Sequence, residues 1–122
     1  MEDEDLYDGI PVADLPVTEV DVPEPVQLRR SLRYQGEIDI KPAAAVEAAL
    51  DLRGLIARDP RSRTGEAIRV VGFSFTAGRL LVVVLLPDDH PPTGLWHVVT
   101  AWPAGRGLRA AYAAADEEEM GE

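Results

Sequence analysis

Five residues in the middle of this 122-residue chain have side chains suited to acid–base and phosphate chemistry: Arg69, Arg79, His97, Arg109 and Tyr112. Histidine titrates near ~6.5, so His97 can take or give a proton at neutral pH. Metal-independent cleavage of RNA needs few groups. A base removes the 2′-hydroxyl proton, cations hold the charge that builds on the phosphorane, and an acid protonates the leaving oxygen. One histidine, several arginines and a tyrosine meet that requirement.

Each residue also has a structural reading. His97 can be a histidine hydrogen-bonded near a sheet face. Arg69 is a polar residue among Val71, Phe73 and Phe75, so its guanidinium must reach the edge, a carboxylate or a ligand. For Arg69 and Arg79 the structural reading is ordinary surface snorkelling or a salt bridge to Asp59 or Glu66. Arg109 and Tyr112 stand three apart on a helix and are surface neighbours. Trp96 and Trp102 could stack bases, but core or interface packing is the better reading. Asp88, Asp89 and His90 are consecutive in a turn, and three consecutive residues rarely converge on one ion, so no metal site is expected. No glycine-rich phosphate loop, HExxH pair or nucleophile elbow is present, and no cofactor is expected.

Charge is distributed unevenly. The net charge is −10, yet residues 27–115 hold all twelve bases against eight acids, a net +4. Residues 1–26 carry nine acids and residues 116–122 carry five, with no base in either. A mildly basic core therefore lies between two acidic ends. The chain has no cysteine, which excludes disulfides and cysteine-based zinc sites and fits a cytoplasmic location. Its opening, MEDED, has neither the basic nor the apolar region of a secretory leader. The apolar run Leu80–Pro87 is far shorter than the ~20 residues of a membrane span, so no membrane partner is expected.

The elements that must position these residues are legible in outline. Residues 1–9 have no hydrophobic period and read as disordered. Residues 10–26 hold Pro11, Pro16, Pro23 and Pro25, which forbid a helix. They are an extended segment, either a linker or an acidic strap across the basic core. The folded domain is expected to begin near Gln27, with LRRSLRY (28–34) as a short strand or arm and Glu37–Ile40 as a strand end. Pro42 then opens a helix over 42–52, with Asp39 as a nearby cap and Val46, Ala49 and Leu50 as its buried stripe.

Three strands follow, at 67–75, 79–87 and 95–102, the first two joined by the hairpin turn 76–78. The second lacks alternation, so both its faces are buried and it is central. On the third, alternation puts Leu95, His97, Val99 and Ala101 on one face and Trp96, Val98, Thr100 and Trp102 on the other. A final helix is expected over 104–115. The expected fold is α+β: a small antiparallel sheet of three or more strands on a short helix, with a C-terminal helix and disordered acidic termini. The expected units are a 1–26 tail, a 27–115 domain and a 116–122 tail.

Taken in order, residues 37–112 resemble the BrnT-like toxins, which have a RelE-like ribonuclease fold. EIDIKPAAAVEAALD resembles that family's short strand and helix. Gly65, Glu66, Arg69 and Gly72 are similar to its "GE-x-R-x-x-G" strand entry. Gly78-Arg79 with LLVVVLL is similar to its "GR-x-L-x-V-V" hairpin. WHVVTAWPA resembles the following strand, and Arg109 with Tyr112 its closing "ER…Y". The resemblance implies a metal-independent endoribonuclease acting on RNA, with Arg69, Arg79, His97, Arg109 and Tyr112 as catalytic residues and a cognate antitoxin as partner.

Two features depart from the family. Its basic run is replaced by uncharged Thr100–Ala104, and its N-terminal histidine-bearing stretch is missing. Those departures support an alternative, a non-catalytic protein-interaction or regulatory domain on the same fold. In the toxin-like reading the acidic strap and ends compete with phosphates for the arginines and mask the basic face.

Overall fold

The structure is a computed structural model of the chain, and it describes residues 6–7, 10–22, 40–60, 62, 65–89 and 92–120. The readings made for 28–34, for Glu37–Asp39 and for His90 lie outside them. In chain order the elements are β1 (Leu6–Tyr7), β2 (Ile10–Pro11), a 3-10 turn (Val12–Asp14), β3 (Glu19–Asp21), α1 (Pro42–Ala49), β4 (Leu55–Arg58), β5 (Ile68–Ser74), β6 (Arg79–Pro87), β7 (Leu95–Pro103) and α2 (Arg106–Met120). β1 and β2 pair with each other, and the other five strands form one sheet in the order β3-β7-β6-β5-β4.

The architecture is the expected α+β fold, with α1 on the sheet and a C-terminal helix. The hairpin β5–β6 turns after Ser74, which pairs with Arg79. β6 is the middle strand, and Leu81 through Leu85 are all buried, as an uninterrupted apolar run requires.

The sheet is larger than the three clearest strand patterns, and it is mixed. β4 adds one antiparallel edge. β3 adds the other edge parallel to β7, with Glu19, Val20 and Asp21 beside Leu95, Trp96 and His97. Residues 10–22 are thus part of the core rather than a tail outside a domain starting near Gln27. Val12 and Leu15 are buried in the same cluster as α1, and the indole Nε1 of Trp96 donates to the Pro16 carbonyl at 2.7 Å. Thr18 and Glu19 both donate their N–H to the Gly94 carbonyl at 2.9 Å. Gly94 has φ +126, and a Cβ there would meet Thr18 Oγ1 at 2.4 Å. Only glycine lets the strap approach so closely.

α1 ends at Ala49 rather than at residue 52, and Lys41 rather than Asp39 occupies its N-cap position. Its buried residues are Ala44, Ala45, Ala48 and Ala49, while Leu50 is exposed. The stripe differs from Val46–Ala49–Leu50 because the helix lies close on the sheet. A Cβ at Gly72 would stand 1.9 Å from the Ala48 carbonyl oxygen, and alanines are what fit at that spacing.

α2 begins at Arg106 and continues through Met120. It therefore takes in residues 116–120, which were expected to be disordered. Five alanines between Ala110 and Ala115 favour the helix strongly enough to carry it into the acids.

Candidate functional site

The geometry of β7 turns on one irregularity. Leu85 pairs with Val98 but Val84 pairs with Thr100, so Val99 is an extra residue. A bulge moves later side chains to the opposite face. Trp96, Val98 and Ala101 consequently all join the core under α1, whereas Trp102 lies on the other face with Arg69. The two tryptophans do not share a face, and Ala101 does not share one with His97. Plain alternation gives the reverse because an extra residue leaves no mark in an apolar pattern.

His97 sits beside Asp21 in the parallel β3–β7 register. Its Nδ1 is 3.3 Å from Asp21 Oδ2 and its Nε2 is 2.9 Å from Asp88 Oδ1. Two carboxylates thus bracket one imidazole. The hydrogen bond to Asp88 is the main cause of a pKa above the ordinary histidine value; partial burial opposes it, and the bond to Asp21 with both acidic charges adds to it. The imidazolium has two N–H donors, one for each acid, whereas neutral imidazole has one. His97 therefore joins strap, strand and the 88–94 loop, and both its nitrogens are engaged.

Arg69 lies toward the sheet centre on the same face as His97. Its Nε donates to Asp59 Oδ1 at 3.0 Å, and its guanidinium lies over the Trp102 ring, 5.3 Å from the centroid. A planar cation held by a carboxylate and an indole is fixed in place.

The other three candidates stand at the far end of the sheet. Arg79 is exposed at the hairpin mouth. Tyr112 donates its hydroxyl to Asp51 Oδ2 at 2.6 Å, and the same oxygen accepts the Phe73 N–H at 2.9 Å. Arg109 is exposed on α2, one turn before Tyr112. His97 pairs with Leu86, seven residues along β6 from Arg79. At ~3.3 Å per residue they are roughly 23 Å apart. The five residues do not converge on one reacting atom. His97 marks one end, Arg79, Arg109 and Tyr112 the other, and Arg69 lies between.

Residue types alone did not single out two carboxylates that organise the hairpin end. Glu47, on α1, accepts the Ser74 hydroxyl at 2.8 Å, the Thr76 N–H at 2.8 Å and the Thr76 hydroxyl at 2.7 Å. The Thr76 N–H, then the Thr76 and Ser74 hydroxyls, hold its pKa below the ordinary value against a smaller opposing effect of burial. For Asp51, burial pushes the pKa up most strongly among single causes. The hydrogen bonds from Tyr112, Phe73 and Arg53 together with the Arg53 charge outweigh it, and the net shift is down. A serine and a threonine two residues apart at a hairpin tip, facing a helix glutamate, would have been the sequence signal.

Beside this end, Leu52 is fully exposed and Phe75 is 84% exposed. Asp51 ties the turn holding Leu52 to Phe73, and the Phe73 and Phe75 rings meet edge to face at 5.1 Å. The two apolar side chains therefore stand at the same end of the sheet.

Among the described residues no group of three acids or histidines is placed to hold a metal ion, and no helix is long and apolar enough to cross a membrane. Compared with known proteins, the chain matches no family model, no curated protein and no solved structure.

Proposed function

We propose that this chain is a non-catalytic protein-interaction domain whose docking rim is the hairpin end bearing Leu52 and Phe75. The observation that carries the reading is the state of His97. A general base needs a free lone pair within reach of its proton, and both His97 nitrogens are held by Asp21 and Asp88. The cations that would stabilise a phosphorane are spread along the sheet, and Arg69 is already committed to Asp59.

The rim has what a partner surface needs. Phe75 and Leu52 are large apolar side chains held out in water at one end of the sheet, and an aromatic seated in a partner's pocket can carry much of the binding energy of an interface. Glu47 and Asp51 hold the hairpin tip beneath it, so little order has to be gained on binding. The partner is a protein offering an apolar pocket for Phe75. A cytoplasmic location belongs to this proposal, as does a toxin–antitoxin setting in which such a domain has lost its cleavage chemistry. The runner-up is the toxin-like endoribonuclease with an antitoxin partner. It requires His97 to leave one of its two acids before reacting.

A photo-crosslinking residue at position 75 tests the reading in cells of the source organism. One specific protein adduct is expected, lost on Leu52→Asp and kept on Arg79→Ala. Adducts that ignore Leu52→Asp would overturn the rim, and adducts to RNA would favour the ribonuclease.

A further inference from the structure

We infer that the protein surface received by the hairpin end is acidic, an apolar pocket for Phe75 framed by Asp and Glu side chains. The inference rests on the Leu52–Phe75 rim proposed above and names the chemistry of what docks there. The order of charge along the sheet carries it.

Four arginines stand at this end, and all four are exposed. Arg53 follows Leu52, and its N–H donates to Asp51 Oδ1 at 2.9 Å. Arg79 pairs with Ser74 in the β5–β6 register, one residue from Phe75. The Ala104 N–H donates to the Leu80 carbonyl at 3.0 Å, which sets the start of α2, with Arg106, beside β6. Arg109 lies one turn before Tyr112, which bonds Asp51.

Glu47 and Asp51 are the acids that hydrogen bonds tie to this end among the described residues. Both are engaged within the protein: Glu47 accepts from Ser74 and Thr76, and Asp51 from Phe73, Tyr112 and Arg53. Four arginines against these two acids leave +2. The acidic run of α2 begins at Asp116, about 10 Å further along the helix axis than Arg109.

The opposite end of the sheet has the reverse sign. Glu19, Asp21, Asp88 and Asp89 are exposed there. Asp21 pairs with His97, and the Asp88 N–H donates to the Leu95 carbonyl. The basic end is therefore the one that bears Leu52 and Phe75, the two most exposed large apolar side chains among the described residues.

The extent of the patch selects a protein over a wider polyanion. A membrane or an RNA spreads its phosphates beyond this end and must also meet the rest of a chain of net charge −10, which repels it. A pocket presents its acids only where the arginines are. Guanidinium and carboxylate match as planar forks. Such rim charges speed encounter with an acidic pocket and reject a basic one. Loss of Arg79 alone costs little, because one exposed pair is weak and three arginines remain.

The test titrates two capped peptides into the intact, isotope-labelled chain and follows its backbone amides by NMR. The probe is Glu-Glu-Leu-Trp-Glu-Glu, and its control has Gln for every Glu. The probe should shift amides around Leu52, Phe75 and Arg79 and bind about tenfold more tightly than the control. Arg79→Glu, Arg106→Glu and Arg109→Glu together should abolish that preference, with circular dichroism confirming the fold. Equal binding of the two peptides, no binding of either at millimolar concentration, or a preference that survives the triple variant would each overturn the inference. So would phosphatidylserine vesicles or an oligoribonucleotide that shift these amides where the acidic peptide does not. Crosslinking from position 75 separates this inference from the rim itself. A Leu52-dependent adduct on a stretch with no excess of Asp and Glu overturns the acidic pocket alone, and the lack of any Leu52-dependent adduct overturns both.

Discussion

Gly72→Ala tests how α1 sits on the sheet, and with it the support beneath the hairpin end. Gly72 lies on β5 under Ala48. A Cβ there would be 1.9 Å from the Ala48 carbonyl oxygen, 2.8 Å from its carbon and 3.0 Å from Asp51 Cβ, where ordinary contact begins at 3.4 Å. The helix would have to retreat by about 1.5 Å at its closest point. The obstacle is backbone, so no side-chain adjustment relieves it. Retreat of α1 opens the contacts of Ala44, Ala45, Ala48 and Ala49, all of which are buried. It also strains the bonds from Phe73 to Asp51 and from Thr76 to Glu47.

Overpacking of this kind costs about 1–3 kcal/mol, occasionally more, and a backbone clash belongs at the upper end. About 3 kcal/mol lowers the Tm of a domain this size by roughly 12 °C. Urea denaturation followed by circular dichroism reads the loss directly. A variant within about 0.5 kcal/mol of the natural chain would refute the close approach of α1 to β5, since that is the range of an ordinary surface substitution.

Three further outcomes follow from the hydrogen bonds. The His97 clamp should hold below about pH 6.5 and weaken as pH rises through the raised folded value, because a group that binds its proton more tightly when folded stabilises the protonated side; hydrogen exchange at residues 18–21 should quicken with pH beyond its intrinsic rate, and the excess should vanish in His97→Gln. Glu47 and Asp51 have lowered values, so their contribution is present above about pH 4 and fades as pH falls through the folded values; acid unfolding should shift to lower pH in Asp51→Asn relative to its own neutral-pH stability. Trp96→Phe leaves the Pro16 carbonyl without its indole donor and costs about 1–3 kcal/mol, read as earlier proteolysis within residues 10–22.

The fold was legible where residue pattern and backbone geometry coincide. The unbroken run in β6, the hairpin length between Ser74 and Arg79, and the alanine-rich helix all declared themselves. What was hidden depends on contacts remote in sequence. β3 is three residues long; Glu19-Val20-Asp21 alternates as a strand does, but nothing in that pattern says which strand it joins. It is a strand because Trp96 and Gly94 hold the strap beside β7. The bulge at Val99 sits within an apolar stretch and can be found only from the pairing of β6. The candidate residues were legible as types, and the structural alternatives named for Arg69 and Trp96 match their contacts. Their separation was not legible, because the distance from Arg79 to His97 depends on strand register. The partners of His97 lie 76 and 9 residues away along the chain.

The proposed function requires that these residues hold a binding domain together and do not cleave RNA. Incubating the intact chain with total RNA in the presence of a chelator tests it most directly, with His97→Ala and Arg69→Ala beside it. RNA is expected to stay intact with all three proteins over a range of pH. Cleavage by the natural chain that both substitutions abolish, while each variant keeps its fold, would contradict it.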